Sequence, residues 1–261
     1  MHVNPQLALG ATALVTALFG QNPTNDYERT KGIFLDGVRT RPAASSKKTS
    51  KGKTNAPAES ASVTRAGVKY SVKLIRDGKE GTVPSAYRFL DDDRFQLQFE
   101  LNSPCYVYVL HRTAVGPPDQ ISKSVEFESA KDAPKPNSYT LLFPRGKARQ
   151  MPAGKDQLIP DEGVLRMDKK PGLEKLFVVI SPDPLDLSKY FDPESAHGYP
   201  SSDDAEAAQL TRELATMGEN AQVAESKGVT FEGTDSFGVS RDPRKPMVVV
   251  VNLGHYHREA Q

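Results

Sequence analysis

From Gly67 onward the chain alternates. Val68, Tyr70, Val72 and Leu74 are interleaved with Lys69, Ser71 and Lys73, the period-two pattern of a strand with one buried face. Asp77-Gly78 then marks a turn. Phe95, Leu97, Phe99 and Leu101 alternate with Gln96, Gln98 and Glu100, and Asn102-Ser103-Pro104 ends that second strand. The run from Cys105 to His111 differs. Tyr106, Tyr108 and Leu110 fall on one face and Cys105, Val107 and Val109 on the other, so both faces are apolar. Leu176 to Ile180 and Met247 to Val251 repeat this character. Strands apolar on both faces are central and covered on both sides. A single open sheet does not satisfy them; a second sheet or a helix must close the other face.

One helix is available. Between Asp203 and Lys227, the residues Ala207, Leu210, Leu214, Met217, Ala221 and Ala224 recur at spacings of three and four. Asp203 with Glu206 forms a capping box, and Gly228 is a stop. The spacing predicts a helix over 203–227 that packs lightly, because its face is rich in Ala and Gly218 interrupts it. A coiled-coil partner helix is the alternative, but the pattern lasts only about three heptads. Val229 to Val239 and Met247 to Tyr256 supply two more strands. The expected fold class is mainly β: an antiparallel β-sandwich-like domain with one packed C-terminal α-helix. It spans 66–187, with a C-terminal extension over 188–261 packing on the same domain.

The chain has 261 residues and a formal net charge of +1, which disfavours a dedicated nucleic-acid binder. Its single cysteine excludes an intramolecular disulfide or a Cys-rich zinc site. No apolar run reaches the roughly 20 residues of a membrane-spanning helix. Leu7 to Gly20 is a short uncharged apolar stretch followed at once by polar residues, so residues 1–20 read as a signal peptide cleaved near Gly20. The expected location is periplasmic or secreted. Residues 21–65 read as a disordered linker rich in basic residues and in Pro, Ala and Ser. Arg41 to Ser62 contains no Val, Ile, Leu, Phe or Tyr, and nine basic residues face four acidic ones from Gln21 to Arg65. Within it, Gly32 to Val38 reads as a strand or clip without an assigned place.

Candidate chemistry is sparse. Cys105 and His111 resemble a Cys–His pair, but six residues of strand hold them roughly 20 Å apart. His255 and His257 share a strand face about 7 Å apart, which suits two ligands to one metal, yet a site needs more than two. Asp91-Asp92-Asp93 lacks the spacing and distal Glu of a calcium loop and reads as a polar turn. Ser201 to Glu206 reads as a helix N-terminus. No nucleophile elbow, phosphate loop or dinucleotide glycine pattern occurs. No catalytic, cofactor-binding or metal residue is assigned, and no cofactor is expected.

The order Phe89-Leu90-Asp91-Asp92-Asp93-Arg94, a strand, then Ser103-Pro104-Cys105-Tyr106-Val107-Tyr108-Val109-Leu110 resembles the domain of unknown function 4384 family. Later pieces follow in order: Leu141-Leu142-Phe143-Pro144, Ala153-Gly154, Leu158-Ile159-Pro160, Pro171 to Leu176, and Ser181 to Leu185. Asp92 stands where that family usually has Gly, Cys105 where it has Gly before the first Tyr, and Arg112 to Ser138 is a long insertion. The resemblance covers about 67–187 and implies a β-rich exported bacterial domain without established catalysis. The expected function is a non-enzymatic binding or structural module of the cell envelope, monomeric, contacting an envelope protein or polymer. Tyr106, Tyr108, the insertion and the basic linker are candidate surfaces. One alternative is a hydrolase assembled from loops, which requires His111 or His197 in a concave site beside a Ser or an acid. The other is an anionic-polymer binder acting through Lys47 to Lys53.

Overall fold

The computed structural model describes residues 23–39, 65–115, 139–144, 146–191, 204–226 and 234–258. In chain order the elements are α1 (Pro23–Arg39), β1 (Gly67–Arg76), β2 (Lys79–Val83), β3 (Arg88–Leu90), β4 (Arg94–Leu101), β5 (Cys105–Val115) and β6 (Thr140–Phe143). There follow β7 (Gln150–Met151), β8 (Gln157–Ile159), β9 (Leu165–Arg166), β10 (Gly172–Ser181), α2 (Asp204–Glu219), β11 (Ala221–Ala224), β12 (Ser236–Ser240) and β13 (Met247–Tyr256).

The strands form two sheets. One is seven-stranded, ordered β11-β12-β1-β4-β8, with β2 on β1 and β9 on β4. The other is six-stranded, ordered β3-β13-β10-β5-β6, with β7 on β5. Pairing is antiparallel except between β3 and β13. Asp77 and Gly78 close the β1–β2 hairpin with φ of 51° and 74°, the left-handed pair that a two-residue type I′ turn demands.

Two of the three two-faced runs are central, as their pattern predicts; the third, Met247–Val251 of β13, pairs with β10 alone, because its other neighbour β3 reaches only Gly254–Tyr256. β10 lies between β5 and β13 along nearly its whole length. On the inner face, Cys105, Val107 and Val109 join Val178, Ile180, Val249 and Val251 against Val68, Tyr70, Leu97 and Phe99 of the facing sheet. On the outer face, Tyr108, Leu110, Val179 and Val248 pack under Leu210 and Leu214 of α2. A sheet closes one face and a helix the other. The sheets approach closely at Gly238, where a Cβ would stand 2.6 Å from Val249 Cγ2. Tyr108 is therefore core and not a contact surface: it is 2% exposed, and its hydroxyl accepts from the Leu185 amide at 2.7 Å.

Two expectations need correction. The helix expected over 203–227 is described from Asp204 and ends at Glu219. Asn220 ends it: its side-chain amide donates to the Asp242, Lys245 and Pro246 carbonyls, and its Oδ1 accepts from the Asp242 amide. Ala221–Ala224 then pairs with β12, so the last two alanines of the helical spacing belong to an edge strand. The linker expected from 21 begins with a helix instead, α1, which opens on Pro23, a favoured first helical residue. Gly32 to Val38 docks as part of α1, not as a strand. Tyr27, Ile33, Phe34 and Val38 pack on Phe237 and Val239 of β12, with Phe34 at 1% exposure. Tyr27 donates to the Asp235 carbonyl, and Gln222 donates to Thr30. Residues 1–20, the basic stretch 41–62, residues 116–138 of the insertion, and His197 lie outside the described residues. Of the strand expected over 229–239, the described part is β12.

Candidate functional site

The inner face of the six-stranded sheet changes character along its length. The register sets Val107, Ile180 and Met247 in one row, Val109, Val178 and Val249 in the next, and His111, Leu176 and Val251 in the third. Glu174 beside Leu253, and Gly172 beside His255, follow. Because alternate residues share a face, the row that fills the core at one end delivers ionisable groups at the other. His111 Nε2 lies 2.5 Å from Glu174 Oε2. The histidine is half-buried and the glutamate buried.

Across from this pair stand Phe95 and the segment Leu165–Asp168, which is fastened to the aspartate turn by backbone bonds: Met167 N donates to the Asp93 carbonyl and Asp92 N to the Met167 carbonyl. Between them lies a cleft of about 200 Å³. Phe95, Leu142, Leu165, Met167 and Leu176 form its apolar wall; His111, Glu174, Arg166 and Asp168 carry its charge.

The three consecutive aspartates divide the work of closing this end. Asp93, fully buried at its side chain, takes both Arg76 Nε (2.8 Å) and Nη2 (2.5 Å), and also accepts the Leu90 amide. The carboxylate holds the Arg76 guanidinium above its ordinary pKa. Asp92 pairs with Arg166. It has φ of 66°, a conformation that Asp tolerates and Gly prefers. Asp91 bridges the histidines of β13: His255 Nε2 lies 2.9 Å from Oδ1 and His257 Nδ1 3.1 Å from Oδ2, with the Arg258 amide at 3.2 Å. Burial pushes the Asp91 carboxyl up, but these hydrogen bonds, His257's first, outweigh it and hold it below the ordinary value. His255 is fully buried; its Nδ1 has no hydrogen-bond partner and stands 3.9 Å from Asp168 Oδ1.

The histidine pair seen in the sequence thus converges on one carboxylate. Among the described residues, no three His, Cys, Asp or Glu side chains converge as a metal would require. Cys105 and His111 stay apart, the thiol in the core and the imidazole at the cleft. Burial raises the Cys105 thiol pKa, with a smaller opposing effect from the Ser103 hydroxyl, so it is a poor thiolate. Tyr106 is partly buried beside the helix-covered core. Sequence reasoning did not single out Glu174, Asp168, Arg166 or Arg76. Glu174 alone left a trace: an acid at a core-facing position of a strand whose other core-facing residues are apolar.

Among the described residues, no helix is long and apolar enough to cross a membrane. No curated protein and no solved structure matches the chain. Residues 88–184, from β3 through the end of β10, match the family model of the Domain of unknown function (DUF4384), the family that the ordered motifs resemble.

Proposed function

We propose that the protein is a non-catalytic contact module of the bacterial cell envelope, exported through its N-terminal apolar segment and holding an envelope protein or polymer. The observation that supports this most is how the ionisable groups at the mouth of the sandwich are used. Asp93 binds Arg76 and a backbone amide, Asp92 binds Arg166, and Asp91 binds two histidines and an amide. These bonds hold loops in place. Among the described residues lining the cleft there is no hydroxyl, thiol or amine nucleophile, and its imidazole, His111, is bonded to Glu174. The test is fractionation of cells, followed by co-sedimentation of the purified protein with envelope material. Recovery with the envelope fraction is expected; an uncleaved protein confined to the cytosol overturns the reading.

One observation favours a hydrolase instead: His111 lines a concave site beside an acid, Glu174. Such a pair can activate water as a general base. Chromogenic ester, peptide and glycoside substrates separate the two readings. Turnover abolished by His111→Ala establishes the hydrolase; equal background with both proteins supports the contact module.

A further inference from the structure

We propose that His255 is a proton-operated latch: once protonated, its Nδ1 donates to Asp168 and fastens the segment Leu165–Asp168 to the end of β13. The inference goes beyond the contact-module reading and holds whatever the cleft takes up. The His255 imidazole is fully buried, and its two nitrogens face carboxylates from different parts of the chain. Nε2 lies 2.9 Å from Asp91 Oδ1. Nδ1 has no hydrogen-bond partner and stands 3.9 Å from Asp168 Oδ1. Asp168 is 64% exposed at its side chain, so the partner that must shift is the one in solvent.

A neutral imidazole has one N–H. Burial pushes the Asp91 carboxyl up, but its hydrogen bonds hold it below the ordinary value, so at neutral pH it is an anion and takes that N–H at Nε2. Nδ1 is then a bare lone pair facing a carboxylate oxygen, two acceptors with no proton between them. One proton changes this. Delivered from solvent along the exposed Asp168 carboxyl, it makes Nδ1 a donor and leaves Asp168 ionised. The charge-assisted bond closes the gap by about 1 Å, to about 2.8–2.9 Å, and the bond to Asp91 is kept. Leu165–Arg166 belongs to the seven-stranded sheet and His255 to the six-stranded one, so the latch ties the two sheets together and fixes one wall of the cleft.

The other charges around His255 are engaged elsewhere. His257 and His111 change charge in the same pH range, but they are bonded to Asp91 and Glu174. On the aspartate turn, Asp92 holds Arg166 and Asp93 holds Arg76. Arg258 pairs with Asp77, and Arg88 of β3 lies over the Tyr256 ring. Lys169 and Lys170 are exposed beside Asp168, and Lys170 donates its backbone amide to Asp168 Oδ1.

The experiment follows the full chain by nitrogen NMR of the histidine rings and by amide hydrogen exchange, from about pH 8 to about pH 5, the range in which imidazoles change charge. The His255 ring is expected to pass from one N–H, at Nε2, to two. Over the same range the Met167 and Asp92 amides, which link the segment to the aspartate turn, become about tenfold better protected once the intrinsic pH dependence of exchange is divided out, the effect of one charge-assisted bond. Asp168→Ala, at an exposed position, keeps the fold and abolishes this gain. Asp168→Asn, which keeps an acceptor without the charge, retains part of it, and His257→Ala retains all of it. A His255 ring that still carries one N–H at about pH 5, an equal gain in Asp168→Ala, or loss of the gain in His257→Ala overturns the proposal.

Discussion

The two ends of one interior differ although the same strands build both. At one end, rows such as Val107, Ile180 and Met247 exclude water completely, and Gly238 lets the sheets close to contact. At the other, the same face presents His111, Glu174 and His255, and the gap is closed by the aspartate turn and Leu165–Asp168. The first end is held by non-directional burial, the second by directional bonds between charged groups. The first therefore carries stability, and the second, which tolerates a cleft, is where a ligand can enter.

The largest effect is expected at the apolar end. Phe99 is 1% exposed in the inter-sheet core, and Phe99→Ala costs about 3–5 kcal/mol through lost burial and the cavity left behind. Urea denaturation followed by circular dichroism measures this. A loss below about 1 kcal/mol means the facing sheet is less tightly packed than described.

At the ionisable end, Arg76→Ala leaves the buried Asp93 carboxylate with the Leu90 amide and the more distant Arg258 Nη2, 3.9 Å away. The expected loss is about 3 kcal/mol, at the low end for breaking a buried pair because this second cation remains. The double variant Arg76→Met with Asp93→Leu recovers part of that loss in the same denaturation assay. No recovery shows that the turn depends on the Leu90 amide bond to Asp93 more than on the ion pair.

This contrast also explains what the sequence made legible. Burial follows periodicity, so Val68 to Leu74, Phe95 to Leu101 and the two-faced runs at Cys105, Leu176 and Met247 were readable as strands, and the need for covers on both faces followed. The mouth was not readable, because it is made by residues far apart in the chain. Asp91 meets His255 across 164 positions and Asp92 meets Arg166 across 74. The aspartates read as a polar turn, which they are, but their partners come from three different strand pairings: Asp93 meets Arg76 at the end of β1–β4, Asp92 meets Arg166 beside β4–β9, and Asp91 meets His255 and His257 through the parallel pairing of β3 with β13, which no local pattern encodes. α1 is not legible because its apolar face is discontinuous: Phe34 and Val38 are four apart, but five residues with no large apolar side chain separate Tyr27 from Ile33. The C-terminal end of α2 was overread because alanine fits helix and edge strand alike, and the decisive residue was Asn220, through its side chain.

A smaller effect is expected at Asp91. Its carboxyl titrates below the ordinary value in the folded protein, so it contributes stability that is present above its unfolded pKa and lost as pH falls through the folded one. Asp91→Asn is expected to be less stable by about 1 kcal/mol at neutral pH. Wild type then loses stability more steeply than the variant below about pH 4. Parallel pH profiles for the two proteins mean that the bridge to His255 and His257 does not hold the end of β13.

The smallest effect is the most specific to the turn. Asp92 adopts φ of 66° and pairs with Arg166 while both side chains remain largely exposed. Asp92→Gly removes the left-handed strain, of order 1 kcal/mol, and deletes an exposed ion pair contributing about the same or less. The two nearly cancel, so a net change within about 0.5 kcal/mol is expected. Asp92→Val deletes the same ion pair but places a β-branched residue at positive φ, so it is destabilising where glycine is not. A valine variant as stable as the glycine one would show that the backbone at 92 is free to leave this conformation. The link between the aspartate turn and Met167 would then be looser than the two backbone bonds imply, and the cleft would lose its fixed wall.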